Sequence, residues 1–211
     1  PPPRLNSVNS VVMASLGGGR ALMYGGYDVF TSTLNDAYIY DKKTWTRTTD
    51  GPSARGGHAM APLPGGRVLM YGGSAIFKGT NTLNDAWIFS PPSLSTSSDG
   101  KWTRVADGPS ARRDMALAPL DDGSVLMYGG YDDGNVFNGT YIYTPAGKWA
   151  KVTDGPDRRS GTALAPLQGG RVLMYGGIAV KHNVFSSSYI YTPSSGGGMW
   201  VKVADAPTGH Q

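Results

Sequence analysis

The sequence predicts an all-β chain made of four copies of one four-stranded sheet, and three observations carry that expectation. A nine-residue phrase, "GGRVLMYGG", stands at 65–73 and again at 169–177, with "GGRALMYGG" at 18–26 and "DGSVLMYGG" at 122–130. Aligned on Tyr24, Tyr71, Tyr128 and Tyr175, the copies recur at spacings of 47, 57 and 47 residues, which marks a repeat architecture. All 15 acidic residues are aspartate, and they accompany 31 glycines and 15 prolines. Aspartate, glycine and proline favour turns, whereas glutamate, which the chain lacks, favours helices.

Within each unit the elements follow in a fixed order. An alanine-rich strand opens it, as in "HAMAPL" or "TALAPL". The nine-residue phrase supplies a turn, a second strand and a Gly-Gly exit, where the backbone needs positive φ or a close approach. An aromatic third strand follows: "AYIYD", "AWIFS", "TYIYT" and "SYIYT". Trp45, Trp102, Trp149 and Trp200 then open the fourth strand, and Asp50-Gly51-Pro52, Asp107-Gly108-Pro109, Asp154-Gly155-Pro156 and Asp205-Ala206-Pro207 turn into the next unit. The longer spacing comes from "SPPSLSTSSDGK", a loop insertion in the second unit. "VLMY" and "WIF" are unbroken apolar runs, the mark of strands covered on both faces. Sheets stacked side by side about an axis meet that demand.

This order of strands, with a Gly-Gly pair and a following tryptophan, resembles the kelch repeat of β-propellers over essentially the whole chain. The resemblance implies a kelch-type β-propeller of four four-stranded antiparallel blades, at about 1–50, 51–107, 108–154 and 155–205, in a single domain spanning 1–211. It also implies that the alanine strands crowd the axis and that the tryptophans pack between blades. The segment 206–211 reads like the entry to a further blade, so the four blades form either a small ring or an excerpt of a larger propeller.

In kelch propellers, binding concentrates on the face that bears the loops between strands two and three and the links between blades. The resemblance places Arg55, Arg112 and Arg159 there, with Arg113 and Arg158 adjacent; the first unit departs, with Val8 in register. Two roles fit these arginines. They bind carboxylate or sulfate groups bidentately, or they tie adjacent blades through carbonyls and aspartates. The loops after strand two alternate: Tyr27, Asp28, Tyr131, Asp132 and Asp133 in units one and three face Lys78 and Lys181 in units two and four. "YDDGN" at 131–135 reads as an Asx turn rather than a calcium loop. Asn138-Gly139-Thr140 has the form of an N-glycosylation acceptor.

Other chemistry is argued against. With no cysteine there is no disulfide, thiolate metal site or the Tyr-Cys crosslink of kelch-type oxidases, and without glutamate the motif of the iron-dependent specifier proteins is missing. His58, His182 and His210 occupy non-equivalent positions, so no cofactor or metal is expected. The net charge of +4 is scattered rather than clustered, which speaks against a nucleic-acid partner. No apolar run approaches the roughly 18 residues of a membrane span. The expected function is a non-enzymatic interaction or structural module that binds a protein partner, an acidic peptide, an anionic glycan or copies of itself through propeller loops. The alternatives are an extracellular carbohydrate-binding, lectin-like protein and a fragment of a larger kelch-type enzyme. Secretion is favoured slightly over the cytoplasm.

Overall fold

The computed structural model of the chain describes residues 9–28, 32–76, 81–92, 99–180 and 183–205. The chain divides into two compact units, Pro1–Arg113 and Asp114–Gln211. Each holds two antiparallel four-stranded sheets, here called blades.

In the first unit, blade 1 consists of β1 (Val12–Gly17), β2 (Arg20–Tyr24), β3 (Ala37–Asp41) and β4 (Thr44–Arg47), paired in that order. Blade 2 consists of β5 (Ala59–Leu63), β6 (Arg67–Tyr71), β7 (Ala86–Ser90) and β8 (Lys101–Val105), with a one-turn 3-10 helix, Pro64–Gly66, between β5 and β6. In the second unit, blade 3 is built from β9 (Ala116–Pro119), β10 (Val125–Tyr128), β13 (Thr140–Tyr143) and β14 (Trp149–Lys151). Its loop carries a small extra hairpin of β11 (Tyr131–Asp132) and β12 (Asn135–Val136). Blade 4 consists of β15 (Ala163–Leu167), β16 (Arg171–Tyr175), β17 (Ser188–Thr192) and β18 (Met199–Val203).

The second strands behave as continuous apolar runs should. Val68–Tyr71 and Val125–Tyr128 are buried along their whole length, with successive side chains entering opposite faces of the sheet. Between blades 1 and 2, Ala14, Leu16, Leu22, Tyr24 and Ile39 meet Met60, Val68, Met70 and Phe89. Between blades 3 and 4, Ala118, Leu120 and Leu126 meet Val172 and Tyr191. Alanines in the first strands let these faces approach closely.

Tryptophans lock both interfaces. The Trp102 ring lies 5.0 Å from that of Tyr24 on the preceding blade and 5.1 Å from that of Phe89 on its own. Trp200 repeats this with Tyr128 and Tyr191, each at 5.2 Å. Burying such rings dominates core energetics, and tilted pairs at this separation add to the area term.

The turn at 131–136 is a tight hairpin. Asp133 and Gly134 both have positive φ, 39° and 84°, and close the tight hairpin between β11 and β12. Two consecutive left-handed residues give the backbone the twist that a two-residue hairpin requires.

Candidate functional site

The geometry of the blade links decides what the arginines do. After β4 the chain turns at Gly51, whose N–H donates to Asn35 O at 2.8 Å; Gly108 and Gly155 repeat this to Asn84 O and Asn138 O. These glycines are obligatory. A Cβ on Gly51, Gly108 or Gly155 would fall 1.9 to 2.0 Å from a ring carbon of Tyr24, Tyr71 or Tyr128 respectively. Each of these tyrosines in turn donates its hydroxyl hydrogen to the link, to Ser53 O, Ser110 O and Asp157 O. Burial pushes the Tyr24 hydroxyl up to about 12, against the opposing charge of Arg55, so it stays a neutral donor.

The arginine comes next and joins two blades with one residue. Arg55 O accepts from Gly26 N of blade 1 at 2.9 Å, while its Nη1 donates to Gly72 O of blade 2 at 2.9 Å. Arg159 does the same between Gly130 N and Gly176 O, both at 2.9 Å. The counter-groups differ. Arg55 forms a fork with Asp85, at 2.6 and 2.8 Å, and also reaches Ser53 Oγ. Arg159 donates to Ser187 Oγ and Asp157, each at 2.7 Å, and its guanidinium sits 3.8 Å from the centroid of the Phe185 ring. Burial alone would raise Asp85, but the hydrogen bonds and charge of Arg55, with Trp87 Nε1 and Arg104, hold its carboxyl below the usual range.

Arg55, Arg112 and Arg159 are therefore buried, and Arg55 and Arg159 are committed to acceptors within their own units. Arg112 O accepts from Gly73 N at 3.0 Å, and its Nη2 donates to Ser110 Oγ at 2.6 Å. Arg113 is half-buried, whereas Arg158 is exposed. Tyr27 is buried with its ring over Gly56, where a Cβ would sit 2.2 Å away. Tyr131 and Asp132 are half-buried in the β11–β12 hairpin, and the half-buried Asn138 points its amide at Gly155 O at 3.4 Å. Lys78, Lys181, His182 and His210 lie outside the described residues. Among the described residues, no group of three or more His, Cys, Asp or Glu side chains is arranged to hold a metal. No helix among them is long and apolar enough to cross a membrane.

His58 stands beside the Arg55 joint. It is buried, edge-on to Tyr24 at 4.9 Å, and neither ring nitrogen meets a hydrogen-bond partner among the described residues. Burial, with Arg55 assisting, lowers it to about 3, so it is neutral in the fold. The repeat puts Met115 and Thr162 at its position in blades 3 and 4.

A different group of side chains faces solvent at the rim of blade 4. Ser160, Ile178 and Val184 are linked by antiparallel bridges, with Ser160 N donating to Ile178 O at 3.0 Å. Ile178, Val180 and Val184 are exposed there, Val184 at 78%, and the exposed Arg158 precedes the bridged Ser160 by two residues. In blade 2 the equivalent loop exposes Ile76. Sequence reasoning singled out these loops for their lysines and passed over the aliphatics. The available signal was the aliphatic Ile178 at the position where units one and three carry Tyr27 and Tyr131.

Residues 1–177 match the KLHDC2/KLHL20/DRC7 Kelch-repeats domain. The chain belongs to the kelch-repeat family. The solved structure of YjhT matches with a TM-score of 0.74 at 13% sequence identity, over 91% of this chain and 68% of that one. At that identity the likeness is one of fold, and it agrees with the kelch β-propeller architecture of antiparallel four-stranded blades.

Proposed function

We propose that this kelch-repeat chain is a non-enzymatic interaction module that takes a segment of a protein partner at the loop rim of blade 4. One observation carries the reading: Ile178, Val180 and Val184 are exposed on the loop after β16, Ile178 is bridged to Ser160, and the exposed cationic Arg158 lies two residues before Ser160 in the chain. Scattered exposed aliphatics are ordinary, but three on one loop beside a fixed scaffold make a recognition surface. The buried arginines contribute by holding that loop in place. Arg159 fixes the exit of β16 through Gly176 O, and its stacking on Phe185 anchors the return of the same loop.

The chemistry of the rim selects an apolar segment flanked by acid, with the apolar side chains covering the aliphatics and a carboxylate meeting Arg158. Selection from a random peptide display library tests this. Peptides pairing apolar with acidic residues are expected to bind the chain and to lose binding to a Val180→Asp, Val184→Asp double variant with an unchanged melting temperature. Binding that survives both substitutions overturns the assignment. Enrichment of glycans on a parallel array, lost on Tyr131→Ala in the β11–β12 hairpin, favours the carbohydrate-binding reading instead.

A further inference from the structure

Each blade has a link end, where the second strand exits toward the arginine joints, and a hairpin end, where strand one turns into strand two and strand three into strand four. Charge is handled differently at the two. At the link end, the base near the close of each fourth strand meets the aspartate three residues on: Arg47 with Asp50, Arg104 with Asp107, Lys151 with Asp154 and Lys202 with Asp205, at 2.9 to 3.7 Å. At the hairpin end of the first unit stand Arg20, Lys42, Lys43, Arg67 and Lys101, and none of them forms an ion pair among the described residues. Asp41 and Asp99 are the carboxylates described there. The hairpin end of the second unit is balanced, with Lys148 and Arg171 set against Asp121 and Asp122.

The packing of blades 1 and 2 sets these bases at one edge of the unit. The turn from β1 to β2 abuts the 3-10 helix of blade 2, where a Cβ on Gly66 would fall 2.7 Å from Leu16 O. Gly17 pairs with Arg20 and Leu63 with Arg67, so the two arginines flank that contact. Arg67 Nε donates to Pro64 O at 3.1 Å, which fixes the stem of the side chain and leaves both Nη groups without a partner among the described residues. Ala21 lies opposite Tyr40 and Asp41 opposite Thr44, so Lys42 and Lys43 form the turn next to Arg20. Lys101 opens β8, opposite Ser90, at the same end of blade 2.

The backbone of the lysine turn adds a second observation. Lys42 and Lys43 have φ of 44° and 72°, both left-handed, and both are exposed. A two-residue hairpin of this twist takes Asn-Gly readily, whereas two consecutive left-handed residues with full side chains are costly. Neither lysine side chain finds a hydrogen-bond or ion-pair partner among the described residues, so no contact described within the fold offsets that cost. Backbone held in sparsely populated regions accumulates at ligand-binding sites.

We propose that the hairpin end of the first unit is a second interaction surface, which takes an acidic segment of a protein partner. Its bases are carried on turns and strand starts by long side chains, so they recognise charge along an extended chain rather than a shape. Asp41 and Asp99 stand at the same end, which makes the surface mixed in sign. A protein segment can set a neutral or basic residue opposite each of these carboxylates, whereas a uniform polyanion such as a nucleic acid or a sulfated glycan meets repulsion there. The surface belongs to the first unit and uses none of the residues of the blade 4 rim, so it stands or falls independently of that reading.

Fluorescence anisotropy tests this with a labelled synthetic peptide in which pairs of glutamates alternate with single lysines. The wild-type chain is expected to bind it at about 50 mM salt and to release it at about 500 mM. Lys42→Asn combined with Lys43→Gly, which installs the turn residues that the backbone favours, is expected to weaken binding about tenfold while raising the melting temperature. A purely structural role for the lysines does not produce that pairing. Arg20→Ser combined with Arg67→Ser should weaken binding to a similar degree, whereas Lys148→Ser in the second unit and the Val180→Asp, Val184→Asp variant should leave it unchanged. A wild type that does not bind overturns the proposal, as does binding that the Lys42→Asn, Lys43→Gly variant retains in full. Tighter binding of heparin or of a single-stranded oligonucleotide than of the peptide at equal salt overturns the assignment to an acidic protein segment.

Discussion

The Arg55 joint of the first unit and the Arg159 joint of the second perform one mechanical task with different chemistry. In both, the arginine carbonyl takes the exit amide of one blade while the guanidinium takes the exit carbonyl of the next, at 2.9 Å in all four bonds. What varies is the compensation for a buried positive charge. The first unit supplies a forked carboxylate, Asp85, immediately before β7; the second supplies Ser187, the link carboxylate Asp157 and the faces of Phe185 and Tyr189. The backbone geometry is therefore the invariant, and the counter-group is free to move around the guanidinium provided its donors find acceptors. Blade 1, whose register position holds Val8, shows the complement: its Asp36 turns to Arg47 of β4 at 2.9 Å.

The largest expected effect follows from charge. Arg55→Leu leaves Asp85 without its forked partner and should cost about 3 to 5 kcal/mol, whereas Arg159→Leu, which leaves mainly neutral acceptors, should cost about 1 to 3 kcal/mol. Urea unfolding of the two variants measures the difference. Equal losses would mean that the carboxylate fork confers nothing beyond the hydrogen bonds to the exit carbonyls.

The second effect is a pH dependence confined to the first unit. His58 is held far below its ordinary value, so the unfolded chain takes up a proton that the fold refuses. The sign follows directly: this contribution is complete above about pH 6.5 and is lost as pH falls from there toward about 3. A loss of about 2 to 3 kcal/mol between pH 7 and pH 4 is expected, and His58→Met, which installs the residue of blade 3, should flatten that part of the profile. An unchanged slope in the variant would assign the acid sensitivity to the carboxylates.

Next in size is the steric lock under the tyrosines. Gly51→Ala and Gly155→Ala each force a methyl group into a ring and should destabilise by about 2 kcal/mol, one variant in each unit, as read by thermal melting. The smallest effect belongs to Asp157→Asn. Its carboxylate is about 40% exposed, and loss of such a pair should cost under about 1 kcal/mol.

The repeats were legible in sequence because their determinants are local. The Tyr-Gly-Gly exits, the alternating alanines and the tryptophan that opens each fourth strand sit at fixed offsets, and each is required by a single turn or packing contact. The kelch resemblance led to Arg55, Arg112 and Arg159, but their fate depended on groups far along the chain. Asp85 lies 30 residues from Arg55, and Ser187 lies 28 from Arg159. No spacing rule within a single unit distinguishes an arginine aimed at a ligand from one aimed at the next blade. The rim of blade 4 was illegible for the opposite reason. Ile178, Val180 and Val184 have the composition of a buried strand, and only the folded loop shows that nothing covers them.

Arg55 and Arg159 join the two blades of their units through the exit carbonyls. The most direct measurement is a double-mutant cycle of Arg55→Leu and Asp85→Ser, with each protein unfolded in urea at pH 7. A coupling of about 2 kcal/mol or more, with the double variant more stable than the sum of the single losses implies, is the predicted result. Single losses that add within about 0.5 kcal/mol would contradict it.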